Sequence, residues 1–133
     1  MNDLIAAVKA ALQAAGLTVF DTQVPGSPAF PYVLLWSTSG RMTSVALSDE
    51  QTVLADQLGV TSVGLTGDSV RLTARRVRSV LNGWTPGVLG DRNVDPMRLD
   101  DSRPLAVDRD APVVGAVHPI TGVDLYRISS TPA

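Results

Sequence analysis

The sequence predicts an α/β (α+β) domain: a mixed or antiparallel β-sheet with two main helices packed on one face, in the order α-β-β-β-α-β-β. Three observations carry this expectation. Two segments repeat apolar residues at three-to-four-residue spacing, the signature of amphipathic helices. Short β-branched and aromatic runs, bounded by Gly and Pro, lie between and after them. The chain has 133 residues, 44% of them hydrophobic, which is enough for one core and too short for two ordinary domains. Residues 1–133 are therefore read as a single domain, with 130–133 expected to be a flexible C-terminal tail.

The first helix starts at Asn2 or Asp3, either of which can cap it, and an acid suits its positive end. Leu4, Ile5, Val8, Leu12 and Ala15 form its apolar stripe. Gly16 stands where a C′ glycine ends a helix, with Leu17 as the accompanying apolar residue. Leu17 to Val24 then reads as a strand. Pro25, Gly26, Ser27, Pro28 and Pro31 break regular structure. The apolar run Tyr32-Val33-Leu34-Leu35-Trp36-Ser37 reads as a strand buried on both faces. Ser37 to Asp49 is polar and reads as a loop or a frayed hairpin tip.

Thr52 to Leu58 fits a helical turn or a strand equally, and Gly59 is either a helix C′ residue or a turn. Val60 to Leu65 is a strand, in which Gly64 suits a bulge or a close backbone approach. Thr66-Gly67-Asp68 opens the second helix, with Val70, Ala74, Val77 and Leu81 on one face and Asn82-Gly83 at its end. Arg71, Arg75 and Arg78 form a separate stripe, and Arg76 lies elsewhere on the cylinder. Trp84 to Pro96 is expected to be a long connection. Met97-Arg98-Leu99 reads as a short strand, and Asp100 to Pro112 as an extended, twisted hairpin region. Val113 to Val117 and Gly122 to Ser129 are two strands or one long interrupted strand, with His118 to Gly122 as a turn.

Composition excludes several classes of chemistry. There is no cysteine, hence no disulfide, thiolate metal site or cysteine nucleophile. Neither G-x-G-x-x-G nor G-x-x-x-x-G-K-[ST] occurs, and Lys9 is the only lysine. The single histidine, His118, precedes a proline in a predicted turn, and no G-x-S-x-G elbow places a serine beside it. The chain reads as a non-enzyme without cofactor or metal. No stretch approaches the ~20 apolar residues of a membrane span, and the N-terminus has no basic region followed by an apolar one. A cytoplasmic place of synthesis is expected, with no membrane partner.

The formal net charge is −2, so the chain as a whole has no pull on nucleic acid or anionic lipid. Charge is instead local. The stripe Arg71, Arg75, Arg78 is a solvated helix face, an arginine-mediated subunit contact or a nucleic-acid contact. Asp100, Asp101, Asp108 and Asp110 match no EF-hand loop, and Arg98, Arg103 and Arg109 interleave with them. That region is either a solvated charged hairpin or an interface patch. Trp36 and Trp84 are core or interface anchors. Candidate interface residues are Arg41, Asp49, Glu50, Arg71, Arg75, Arg78, Arg103, Asp108 and Arg109.

The order of these segments resembles the tail terminator proteins of siphophages, especially those of actinobacteria. The helix Leu4 to Ala15 is followed by Phe20-Asp21-Thr22-Gln23-Val24-Pro25 and by Phe30-Pro31-Tyr32-Val33-Leu34. Gln57 to Leu65 leads into an arginine-rich helix ending Val80-Leu81-Asn82-Gly83. Ser102-Arg103-Pro104, Asp108-Arg109-Asp110 and Asp124-Leu125-Tyr126-Arg127-Ile128 complete the series. The resemblance spans nearly the whole chain. It implies a ring, usually a hexamer, that caps the tail tube, stops its polymerisation and faces the head-tail connector. The implied partners are further copies of the chain, the major tail tube protein and the connector, with DNA passing through the lumen. The implied location is the neck-proximal end of the virion tail, after assembly in the host cytoplasm. Another neck protein, such as a connector or tail completion protein, is the alternative, followed by a small bacterial ligand-binding domain or enzyme.

Overall fold

The computed structural model describes residues 2–26, 28–37, 42–43, 53–90 and 92–132. The elements run α1 (Asn2–Ala14), β1 (Val19–Asp21), β2 (Tyr32–Ser37), β3 (Met42–Thr43), β4 (Val53–Gly64), α2 (Gly67–Leu81), β5 (Val88–Leu89), β6 (Arg92–Val94), β7 (Arg98–Ser102), β8 (Ala106–Val107) and β9 (Ile120–Pro132). The architecture is the mixed α+β sheet with two helices that the sequence predicts. The nine strands among the described residues belong to one sheet, ordered β1-β2-β4-β9-β6-β5, with β3 added to β4 and β7 and β8 added to β9. Among the described residues, only β1 and β2 pair in parallel; every other pairing there is antiparallel.

The sheet is organised by two long strands. β4 and β9 pair from Leu54↔Ser130 to Gly64↔Ile120. At about 3.3 Å per residue, the 13-residue β9 spans roughly 40 Å. Its free edge is then shared end to end by three short strands, β8, β7 and β6.

Period-2 alternation gives this ribbon two unlike faces. Leu58, Val60, Tyr126 and Ile128 point to the helix side with Val33 and Leu35 of β2, and all are buried. Leu4, Ile5, Val8 and Leu12 of α1 and Val77 and Leu81 of α2 join them in one apolar cluster. Burying each such side chain contributes roughly 1.5–3 kcal/mol, so this layer is the main source of stability. Arg76 locks the two helices together by donating from Nη2 to the Ala15 carbonyl at 2.7 Å.

The helix ends form as their sequences require. Gly16, at φ +87°, donates to Gln13 O, and Leu17 donates to Leu12 O. This is the paired closure of a glycine-terminated helix, and Leu17 is buried beside it. Thr66 caps α2, its hydroxyl accepting from the Ser69 N–H at 3.1 Å.

Several boundaries differ from expectation. The ambiguous Thr52–Leu58 segment is strand from Val53 onward, and Gly59 lies in mid-strand. The Trp36 ring lies across it: a Cβ on Gly59 would sit 2.1 Å from that ring. Trp36 is therefore folded flat on the sheet, held by Nε1 donating to Thr61 Oγ1 at 2.9 Å. It is 39% exposed, so β2 is not buried on both faces. The expected strand at Leu17 to Val24 shortens to β1, and Thr22 follows it at positive φ. The Trp84–Pro96 connection contains β5 and β6, whose signal is non-local because β6 exists by pairing with the end of β9.

β7 and β8 do not form a hairpin with each other; each pairs with β9. The turn expected at His118 to Gly122 lies earlier, where Val114 and Val117 pair across Gly115-Ala116. β9 then runs without interruption through Pro132, and Ser130 is buried. The expected loop or hairpin tip at Ser37 to Asp49 lies mostly outside the described residues. Within it, β3 pairs with β4.

Candidate functional site

The most developed polar feature is a cleft between α2 and the strand pair β7–β9. It is lined by Arg71, Ala74, Arg75, Arg78, Ser102, Arg103, Leu105, Gly122, Val123 and Asp124, and encloses about 190 Å³. Helical spacing places Arg71, Arg75 and Arg78 on one side. The Arg103 N–H, donating to Val123 O at 2.9 Å, fixes the fourth arginine's backbone along β9 on the other side. The cleft has this depth because β9 passes close beneath the helix. A Cβ on Gly122 would meet Leu105 at 2.8 Å and Val70 at 3.0 Å.

The floor of the cleft is an ion pair. Asp124 is 5% exposed. Its carboxylate accepts from Arg78 Nε at 2.8 Å and from Nη2 at 2.9 Å. Nη2 also donates to Ser102 Oγ at 2.8 Å. A buried carboxylate requires such a partner, and the bidentate fork is the geometry only arginine offers. The Asp124 hydrogen bond holds the Arg78 guanidinium above its ordinary pKa, against the opposing effect of burial. Arg78 is thereby a structural cation, positioned before any ligand arrives.

The other three arginines are differently placed. Arg71 Nη1 meets Asp68 Oδ1 at 3.1 Å, in a pair that is mostly solvent-exposed and hence weak. Arg75 and Arg103 are exposed, and neither side chain has a hydrogen-bond or ion-pair partner among the described residues. The cleft therefore presents guanidinium donors to solvent over a partly apolar lining. Such a site can bind an oxyanion.

Four of the residues singled out from sequence thus meet here: Arg71, Arg75, Arg78 and Arg103. Asp108 and Arg109 do not. Asp108 is half-buried after β8, donates from its backbone to Pro119 O and accepts from the Asp110 N–H. Burial, and then the Asp108 charge, raise the pKa of the Tyr32 phenol. Arg109 is exposed in the following turn. Arg41, Asp49 and Glu50 lie outside the described residues. Asp124 was missed as a site residue. Its signal was present, since a carboxylate inside the otherwise apolar run Val123-Asp124-Leu125-Tyr126 must find a cation.

Two further surfaces frame the site. Asp100, on β7, accepts from Gln57 Nε2 at 2.9 Å and from Arg127 Nη2 at 3.1 Å, tying β7, β4 and β9 together on the face away from the helices. These two hydrogen bonds, the Gln57 one foremost, lower the Asp100 pKa. An open apolar groove of about 540 Å³ separates Val24, Pro25, Pro28, Phe30 and Tyr32 from Ala111 to Val114 and Pro119. His118 Nδ1 lies 3.0 Å from the Ala111 carbonyl, and the ring is half-buried in this loop. Trp84 packs against the main core. Among the described residues, no group of three or more His, Cys, Asp or Glu could hold a metal ion. None of the helices there is long and apolar enough to cross a membrane.

No protein-family model matches the chain, and no curated protein matches it. Among solved structures, the chain is similar to a chain in the virion of a native gene transfer agent (GTA) particle. That superposition covers 96% of this chain and 86% of the other, with a TM-score of 0.57 and 17% identity. The two chains share a fold.

Proposed function

We propose that this chain is a structural virion subunit that closes into a ring on the end of a phage-like tail tube, as a tail terminator. The observation that carries the reading is the shared fold with a GTA virion chain over nearly the full length of both. The order of sequence segments, which resembles the terminators of siphophages, favours this role within a virion. In it the ring, a hexamer by the same resemblance, stops tube growth and presents its other surface to the head-tail connector. It would reside in the neck-proximal tail, and DNA would cross its lumen.

Surface chemistry supports an assembling chain. Val107, Val113, Val114 and Val117, from one short stretch of sequence, are each 39–51% exposed, as is Trp36 at the low end of that range. Exposed apolar side chains gathered in one segment fit a surface that another chain covers. Among the described residues, β1 and β5 stand at the two ends of the strand order, and unpaired edges invite pairing with a neighbour. Head-to-tail contacts between unlike surfaces close into a ring when the rotation between neighbours divides the circle. The candidate interface residues Arg41, Asp49, Glu50, Arg71, Arg75, Arg78, Arg103, Asp108 and Arg109 are assigned to such contacts.

Removing the chain from the producing particle tests the role. Loss of a terminator gives tube ends that keep growing, hence tails of uncontrolled length. Tails of normal length that fail to join heads would instead assign the chain to the connector side of the neck. Intact, infectious or transducing particles would contradict both.

A further inference from the structure

We propose that the arginine cleft is a receptor for one carboxylate presented by a neighbouring protein chain. Three features of the cleft lead there. The first is unspent charge. Asp124 neutralises Arg78, and Asp68 offsets Arg71 across solvent, while Arg75 and Arg103 line the cleft from its two walls without a partner among the described residues. Two like charges facing one cavity repel unless an anion lies between them.

The second is preorganisation. Arg78 is held by Asp124 and Ser102, so its remaining face is fixed rather than free to fold away. Ala74, Leu105 and Val123 line the same space, which lowers the local dielectric and strengthens an oxyanion contact relative to open solvent. The planar guanidinium fork matches a carboxylate in two-point fashion.

The third is size. At about 190 Å³ the cleft falls below the ~300–1,000 Å³ of sites that take whole small molecules. It accommodates a single oxyanion group. A duplex would need a broad basic surface, whereas this chain has net charge −2 and more acidic than basic residues. A protein side chain is the source that fits. For where that carboxylate comes from, the inference rests on the reading of the chain as an assembly subunit, although the receptor chemistry belongs to the free chain.

The test uses the full chain and follows its arginine Nε–Hε signals by NMR at constant ionic strength. The probes are a short capped peptide carrying two aspartates, its asparagine counterpart, inorganic phosphate and a short DNA duplex. The aspartate peptide is expected to shift the cleft arginines saturably, with a dissociation constant on the order of millimolar. The asparagine peptide should leave them unmoved. In Arg75→Gln/Arg103→Gln, whose changes are at exposed positions, binding should weaken about tenfold or more, with the Nε–Hε signal of Arg78, bound to Asp124, retained as a sign of intact folding. Equal effects of the two peptides, non-saturating shifts or an unaffected double variant would overturn the proposal. So would tighter binding of phosphate or duplex, lost in the double variant, since that would make the cleft a phosphate site. A chain that binds the peptide yet caps no tube would end the terminator reading while leaving the receptor standing. A chain that caps tubes but ignores the peptide would do the reverse.

Discussion

The two faces of the β4–β9 ribbon are made by the same strands and serve opposite purposes. On the helix side, Leu58, Val60, Tyr126 and Ile128 are sealed under α1 and α2. On the other side, Gln57 and Arg127 are exposed, Trp36 lies flat but open, and Asp100 bridges three strands through hydrogen bonds at the surface. One residue of shift along a strand separates the groups sealed in the core from the groups at the surface. The arginine cleft sits where these regimes meet: its floor, Asp124, belongs to the helix side, and its rim belongs to solvent.

Substitutions on the two faces should differ in their effects on stability. Leu58→Ala removes a side chain with no exposure from the centre of the sheet. It should cost about 2–5 kcal/mol in denaturant unfolding. A cost below 1 kcal/mol would mean that the helix side is not the main core. Asp124→Ala strands Arg78 and should cost about 1–3 kcal/mol. This is less than the loss of a fully buried pair, because Arg78 is 42% exposed. Arg78→Ala in the same background should then add little, which a double-mutant cycle measures.

Gly59→Ala places a Cβ inside the Trp36 ring position. The indole must swing off the sheet, at a cost of about 1–3 kcal/mol, and its fluorescence should shift to the red. Unchanged Trp36 emission would contradict the stacked arrangement. Tyr126→Phe should be nearly neutral, or stabilising by up to about 1 kcal/mol. The Tyr126 hydroxyl is buried without a partner among the described residues, so removing it ends a desolvation cost. Burial, reinforced by the Asp124 charge, pushes the Tyr126 phenol far above its ordinary pKa.

The smallest effect concerns acid. Because the Asp100 pKa is lowered by Gln57 and Arg127, the tie it makes is present above the ordinary carboxylate range and is lost as pH falls through its lowered native value. Asp100→Asn should remove that pH dependence, and NMR titration of the carboxyl group reads it directly.

How much of this was legible in the sequence follows from the range of the interactions involved. Both helices were legible because their signals are local: the stripe from Leu4 to Leu12, the Gly16 closure and the Thr66 cap each act within one or two turns. The Tyr32–Ser37 strand was legible for the same reason, as a compact apolar run. The first half of β4 was not, since Val53 to Leu58 is strand through its pairing with β9 some seventy residues later. β5, β6 and β8 are two or three residues long and stand on the free ends of other strands, so no window of local sequence specifies them. For the cleft, helical spacing gave the arginine stripe. That Arg103 faces it, and that Asp124 anchors it, depends on β9 crossing under α2.

Electron microscopy of the purified chain mixed with isolated tail tubes tests whether the chain caps a tube. Rings of one defined size are expected, seated on a single end of each tube, with no further tube subunits added at that end. Monomers that leave both ends bare and still growing would contradict it.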